Sequence, residues 1–211
     1  GIDSALVASI AVDALGSDQV KCFMLPSVFT SKNSTNDAID VAKRLNIELD
    51  TLSIKDIYNS VENLLCFKFK SKEKDITEEN IQSRIRSLLL MAISNKFGNM
   101  LISTSNKSES AVGYSTLYGD MSGGFSPLKD VWKTDVFALS RWRNLNIPSI
   151  SNYEIKGVIP DTIINKPPTA ELRENQKDTD SLPDYKTLDA ILALSIEGMK
   201  GERDIIKSGF D

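Results

Sequence analysis

The run Gly1-Ile2-Asp3-Ser4-Ala5-Leu6-Val7-Ala8-Ser9-Ile10-Ala11-Val12-Asp13-Ala14-Leu15-Gly16, with Gln19-Val20-Lys21-Cys22-Phe23-Met24-Leu25-Pro26 behind it, decides the fold. The first part reads as an apolar helix with no strand ahead of it, and the second as a buried strand closed by a proline. A polar loop, Ser27 to Asn33, follows. Ser34-Thr35-Asn36-Asp37 offers N-caps for a helix that places Ala38, Ile39, Val41, Ala42 and Leu45 on one face, and Asn46 supplies a stop. Ile47 to Ile54 alternates like a strand, and Lys55 to Leu65 returns to helical spacing. Alternation of this kind predicts an α/β fold: a three-layer, doubly wound parallel sheet with helices on both faces and ligands beyond the carboxyl ends of the strands.

Composition narrows the chemistry. The 211 residues are 41% hydrophobic, enough for a real core in one domain. The 29 acidic against 25 basic residues give a formal charge of −4, which argues against a broad nucleic-acid-binding face. Cys22 and Cys66 are too few and too far apart for a disulfide framework or a metal motif and read as structural thiols. No stretch approaches the roughly 18 uninterrupted apolar residues of a membrane span, and the first helix lacks a basic leader, so a cytoplasmic protein is expected. The chain has no histidine, which excludes Ser-His-Asp and Cys-His catalysis and imidazole-bound metals within it. Carboxylates, lysines, hydroxyls and backbone N–H groups remain, and these suit Mg²⁺ and phosphate.

Farther along, Phe67 to Asp75 carries four lysines and reads as a solvated loop, or else as a gating segment. Thr77 to Asn95 is expected as a long helix capped by Thr77, with Glu78 and Glu79 in its first turn and Ile81, Ile85, Leu88, Leu89 and Ala92 facing inward. Asn99 to Thr104 reads as a short strand, Asn106 to Gly113 as a short helix, and Val131 to Leu145 as another helix. Beyond Pro148 the pattern loosens, and the polar run from Glu171 to Ser181 suits a lid or a disordered loop. Asp184 to Leu194 and Gly201 to Ser208 resume helical spacing.

Four clusters follow strands or open helices. Gly1 to Ser4 places a glycine, a carboxylate and a hydroxyl at a helix start, where free N–H groups can cradle phosphate; ordinary capping would use the same residues. Ser103-Thr104-Ser105-Asn106-Lys107-Ser108-Glu109 is dense in hydroxyls. Tyr118 to Leu128, with Lys133 beyond it, is a glycine-rich loop that lets backbone approach a ligand. Lys166-Pro167-Pro168-Thr169-Ala170-Glu171-Leu172 holds a threonine and a carboxylate in a proline-stiffened segment that a linker would equally explain.

Taken in order, the clusters resemble the synthetase domain of NAD⁺ synthetases, in the N-type ATP-pyrophosphatase (adenine nucleotide alpha hydrolase-like) group. The family's first loop is Ser-Gly-Gly-x-Asp-Ser, of which Gly1-Ile2-Asp3-Ser4 is the remnant, so the resemblance implies that a strand, a serine and a glycine are missing ahead of Gly1. Asn80-Ile81-Gln82-Ser83-Arg84-Ile85-Arg86 is similar to its Asn-x-x-Ala-Arg-x-Arg helix, with Ser83 where alanine is usual, and Ser103 to Glu109 to its Gly-Thr-x-Asn-Lys-Ser-Glu motif, with Ser103 in place of glycine. Tyr114 to Lys133 looks like the glutamine-dependent subgroup. Lys166 to Leu172 and Asp178 to Tyr185 resemble the late Pro-Thr-Ala-Glu/Asp-Leu and Asp-Glu-x-x-Leu-x-x-Tyr segments.

The resemblance spans the chain, residues 1–211, as one synthetase domain truncated at both ends, with 171–181 as a lid. It implies ATP-dependent amidation of nicotinic acid adenine dinucleotide (deamido-NAD) through an acyl-adenylate, using ammonia from a glutaminase domain on the same parent chain. It further implies Asp3 and Glu109 as Mg²⁺ ligands, with Glu109 alternatively near the substrate. Gly1, Asp3, Ser4, Thr104, Lys133 and Thr169 would bind ATP, Asp3 and Lys133 would carry the chemistry, and Asn80 and Arg84 would bind the dinucleotide. A homodimer through the long helix is implied as well. Rival readings are an ATP-pyrophosphatase that amidates another acid, as GMP or asparagine synthetases do, and a nucleotide-binding module without turnover.

Overall fold

Helix α1 (Ile2–Leu15) is built from small and branched apolar residues, and it buries Leu6, Val7 and Val12 between α2 (Lys32–Leu45) and α6 (Lys133–Leu145). The computed structural model describes residues 1–70, 72–151 and 153–210. Strands β1 (Lys21–Met24) and β2 (Glu48–Thr51) pair in parallel, with Lys21 opposite Glu48 and Met24 opposite Thr51. A parallel pair needs a crossover, and α2 provides it. The remaining helices are α3 (Lys55–Phe69), α4 (Ile76–Phe97), α5 (Lys107–Val112), α7 (Asp161–Asn165), α8 (Tyr185–Leu192) and α9 (Glu202–Lys207). The main core gathers Val12, Leu45, Leu128, Val136, Val158 and Ile159, each essentially without solvent exposure; a smaller one joins Ile54, Tyr58 and Ile85 under α3 and α4.

Parallel pairing with flanking helices agrees with the sequence reading, and several details correct it. The strand expected at Asn99–Thr104 reduces to one bridge, Ile102 to Phe125, because the glycine loop takes its backbone groups: Ser103 donates to the Phe125 carbonyl at 2.9 Å and Gly124 to the Leu101 carbonyl at 2.7 Å. A Cβ at Gly123 would stand 2.7 Å from the Ser103 nitrogen, so only glycine permits this approach. Helix α2 is capped by Ser31, whose hydroxyl accepts the Ser34 N–H, rather than by the later hydroxyls. Asp75, not Thr77, caps α4, with Glu78 returning to the Asp75 N–H. Helix α3 runs on to Phe69, into the stretch read as a loop, of which Ser71 lies outside the described residues.

The largest correction concerns part of the face of α4, where Ile81, Ile85 and Leu89 pack inward as expected but two other residues do not. Leu88 is 65% exposed and Ala92 is also exposed, whereas Gln82, Ser83, Ile85 and Ser87 are buried. Polar side chains point inward because the 114–124 loop and the segment after Pro168 offer them partners. The Ser83 hydroxyl accepts the Asp120 N–H at 3.0 Å, Ser87 donates to Ser122 at 2.6 Å, and the Gln82 amide donates to the Leu172 carbonyl at 2.8 Å. Among the described residues no helix is long and apolar enough to cross a membrane.

Candidate active site

Helix α1 is preceded by Gly1 at its N-cap, α5 is capped by Asn106, and α6 starts at Lys133; these three helix starts bring one charged cluster together. The Lys133 ammonium, its side chain 3% exposed, donates to Asp3 Oδ2 at 2.7 Å and to Glu109 Oε1 at 2.9 Å. Asn106 is wholly buried and fixed at both ends of its amide: Nδ2 donates to Asp3 Oδ1 at 2.9 Å, while Oδ1 accepts the Glu109 N–H at 2.9 Å. The cap of one helix therefore orients the carboxylate of another. Asp3 and Glu109 also sit in the first turns of α1 and α5, where the positive helix ends favour anions.

The electrostatics follow from burial and pairing. Burial alone would lower the Lys133 pKa, but the charges of Asp3 and Glu109 outweigh it and raise it, so the ammonium stays protonated. Burial pushes the Glu109 carboxyl up, Lys133 opposes this, and the like charge of Asp3 adds to the rise. The Lys133 ammonium also lies 5.4 Å from the centre of the Tyr185 ring. Tyr185 and Tyr114 both donate to buried Asp178, at 2.8 and 3.3 Å, and burial followed by the charge of Asp178 raises both phenols.

A second set of expected residues lies along α4. The Thr116 hydroxyl donates to Asn80 Oδ1 at 2.7 Å and Arg84 Nε to the Leu117 carbonyl at 3.2 Å, so both residues meet the glycine loop. Gly119 is wedged there: a Cβ would fall 2.3 Å from Ser83 Oγ and 2.9 Å from Thr116 Cβ. Ser83, standing where the resembling motif has alanine, is accounted for by the Asp120 N–H that it satisfies.

The third set is the proline segment and its loop. Glu171, in left-handed backbone at φ 51°, accepts from the Ser31 and Ser34 hydroxyls at 2.9 and 2.7 Å, from the Ser31 N–H at 3.3 Å, and from Lys166 at 3.1 Å. Thr169 accepts the Glu171 N–H at 3.2 Å, and Gln176 donates to Glu79 at 3.1 Å. The 171–181 stretch is thus ordered against α2 and α4, with Gln176 and Asp178 buried. Burial would raise the Glu171 pKa, but the bonds from Ser34, Lys166 and Ser31 bring it below the usual carboxylate value. A depressed folded-state pKa contributes attachment above the unfolded value, near 4.5, that is lost as pH falls through the folded one. Proteolysis within 171–181 is therefore expected to accelerate below that pH, with Glu171→Gln cleaved readily at neutral pH; equal cleavage of both proteins from pH 7 to 3 would contradict it.

Of the expected site residues, Asp3, Glu109 and Lys133 are joined directly, Asn80 and Arg84 are tied to the glycine loop, and Ser4 donates to the Gly1 carbonyl at 3.0 Å. Thr104 and Thr169 make no hydrogen bond to the Asp3–Lys133–Glu109 set among the described residues. Asn106, Tyr185 and Asp178 had drawn no individual expectation. Asn106 was legible as a cap, whereas the link from Asp178 to Tyr185 and Tyr114 depends on tertiary approach. Asp3 and Glu109 offer only oxygen donors, a chemistry that suits Mg²⁺ together with phosphate and water, while in this structure both carboxylates bond the Lys133 ammonium; no group of three or more His, Cys, Asp or Glu converges among the described residues.

Comparison with known proteins gives a consistent result. The family model described as NAD synthase matches residues 1–211. A glutamine-dependent NAD(+) synthetase of Rhodobacter capsulatus is 55% identical over 211 residues, covering all of this chain and 38% of the relative. Among solved structures, a glutamine-dependent NAD+ synthetase from Acinetobacter baumannii in complex with ADP is 46% identical with a TM-score of 0.72, covering 100% of this chain and 36% of that one. NMN synthetase from Francisella tularensis is 27% identical with a TM-score of 0.76, covering 98% and 77%. The chain spans well under half the length of its glutamine-dependent relatives. By these matches over its whole length, the chain belongs to the NAD synthase family.

Proposed function

We propose that the chain is the synthetase domain of an enzyme that amidates deamido-NAD to NAD⁺ at the expense of ATP. The reading is carried by the Asp3–Lys133–Glu109 cluster at the start of α1, with Lys133 buried and both carboxylates partly exposed, in a chain of this family. A carboxylate is a poor electrophile, so its oxygen first bonds to the α-phosphorus of ATP and pyrophosphate leaves. Ammonia then adds to the acyl carbon, the bond to AMP breaks, and the nitrogen gives up one proton to solvent, leaving the carboxamide. Charge builds on phosphoryl oxygens in both steps, so positioned cations and N–H donors matter more than a strong base.

In this reading Gly1, Ser4 and the N–H groups of α1 cradle phosphate. Asp3 and Glu109 would hold Mg²⁺, which when bound neutralises phosphate charge. Lys133 follows the charge onto departing pyrophosphate, its long stem allowing the ammonium to swing from carboxylate to phosphate. Thr104 and Thr169 contact ATP, and Asn80 and Arg84 hold the dinucleotide against the glycine loop. The 171–181 loop shields the adenylate from water. The greater length of the glutamine-dependent relatives supports a glutaminase domain as the ammonia source. Exposed Leu64, Phe67, Leu88, Phe97 and Met100 support a homodimer; Leu88→Glu should shift sedimentation toward monomer, and an unchanged profile would count against it.

The deciding experiment is mass spectrometry of the products formed by the complete protein from deamido-NAD, ATP and Mg²⁺ with glutamine or ammonium. Likeness to NMN synthetase makes nicotinic acid mononucleotide the second acid to test; preference for it would move the assignment to that substrate. Asp3→Asn is expected to lower turnover at least about tenfold, or about 1.4 kcal/mol in barrier, and near-normal Mg²⁺-dependent turnover would reject the role of Asp3.

A further inference from the structure

Helix α6 begins at Lys133 without a cap of its own, since Trp132 at its N-cap supplies no side-chain bond. Its first two N–H groups are satisfied from elsewhere. Lys133 N donates to Ser108 Oγ at 2.8 Å, and Thr134 N to Asp189 Oδ2 at 2.9 Å. The same Ser108 hydroxyl donates to Asp189 Oδ1 at 2.5 Å. Ser108 is wholly buried and Asp189 5% exposed. Ser108 lies in α5, one residue before Glu109, and Asp189 in α8, four residues after Tyr185. One carboxylate thus ties together the helix that starts with Lys133, the helix that carries Glu109, and the helix that carries the ring beside the Lys133 ammonium.

From this geometry we propose that Asp189 is a positioning residue of the Asp3–Lys133–Glu109 centre, acting through Ser108 as a distant N-cap for α6. An acidic side chain at a helix start favours the positive helix end and takes up orphan N–H groups. Here the cap comes from another helix, so the backbone of Lys133 is fixed relative to α5 and α8 rather than by its own loop. A shift of the first turn of α6 would carry the ammonium away from both carboxylates. The inference rests on the catalytic reading of Lys133 given above.

The test uses the complete protein with ammonium as nitrogen source, in single turnover. Asp189→Ala is expected to slow adenylation at least about tenfold with the KM for the dinucleotide unchanged. Asp189→Asn, which keeps an acceptor for Thr134 N–H, should recover part of that rate. In the Lys133→Ala background, Asp189→Ala should add no further loss; an equal loss in both backgrounds would mark Asp189 as merely structural and overturn the proposal. Amide hydrogen exchange gives a readout independent of activity. Lys133 and Thr134 should exchange at least about tenfold faster in Asp189→Ala while the rest of α6 keeps its protection. Unchanged exchange at both amides would also overturn the proposal. If Lys133→Ala alone left adenylation intact, the reading of the reaction would fall, and exchange would still decide whether Asp189 fixes the start of α6.

Discussion

Arg143→Ala is expected to destabilise the fold by about 3–5 kcal/mol. Arg143 lies in α6 and Asp13 in α1, both nearly inaccessible to solvent, and they pair in a two-pronged contact: Nε to Oδ2 at 2.7 Å and an Nη to Oδ1 at 2.9 Å. Ser151 donates to the same carboxylate at 2.6 Å, and Arg143 also donates to the carbonyls of Asn146 and Ile155 at 3.2 and 3.0 Å. Truncating the arginine leaves the buried Asp13 carboxylate without its counter-charge and with only the Ser151 hydroxyl as a side-chain donor, which costs far more than the net value of the pair. For a domain of this size, each kcal/mol is worth about 2–4 °C in Tm. The double variant Asp13→Leu/Arg143→Met should recover much of the loss, because both charges are then gone. Thermal unfolding of the three proteins decides; a loss below about 1 kcal/mol for Arg143→Ala would show that the pair is solvated in solution.

Lys133→Ala is expected to slow pyrophosphate release by about 10²–10³-fold while leaving dinucleotide affinity intact, the magnitude typical of losing one preorganised donor to a developing oxyanion. The variant also leaves Asp3 and Glu109 facing each other without their shared ammonium, so approach of the phosphates becomes less favourable. Lys133→Arg should rescue poorly, since the ammonium is nearly buried and held at short range by two carboxylates, and a bulkier planar guanidinium demands a different set of bonds. Single-turnover pyrophosphate release beside equilibrium dinucleotide binding separates the two effects. Unchanged adenylation would remove Lys133 from the chemistry.

Local chemistry made much of this centre legible in advance. The apolar run of α1, Asn106 as cap and Gly113 as stop of α5, and the hydroxyl-rich segment before Glu109 all announce themselves within a few residues. What escaped reading depends on distant partners. Asp13 would pass for a solvated residue on a helix, yet it meets Arg143 from 130 positions away; Asp189 would pass for part of an acidic face, yet it meets Ser108 from 81 away. Hydrophobic spacing placed Ile81, Ile85 and Leu89 of α4 correctly but not Leu88 and Ala92, which face outward while Gln82, Ser83 and Ser87 find hydrogen-bond partners inside. Periodicity reports which residues share a face; what that face meets is settled by the loops folded against it.

The backbone of Glu171 carries a consequence for how the 171–181 loop behaves. A non-glycine residue in the left-handed region costs on the order of 1–2 kcal/mol, and here that cost is offset by bonds to Ser31, Ser34 and Lys166. The latch is therefore spring-loaded. Once the side-chain bonds are broken, the backbone relaxes by returning Glu171 to ordinary torsions, so detaching this stretch from the start of α2 is helped by strain already present while it is attached.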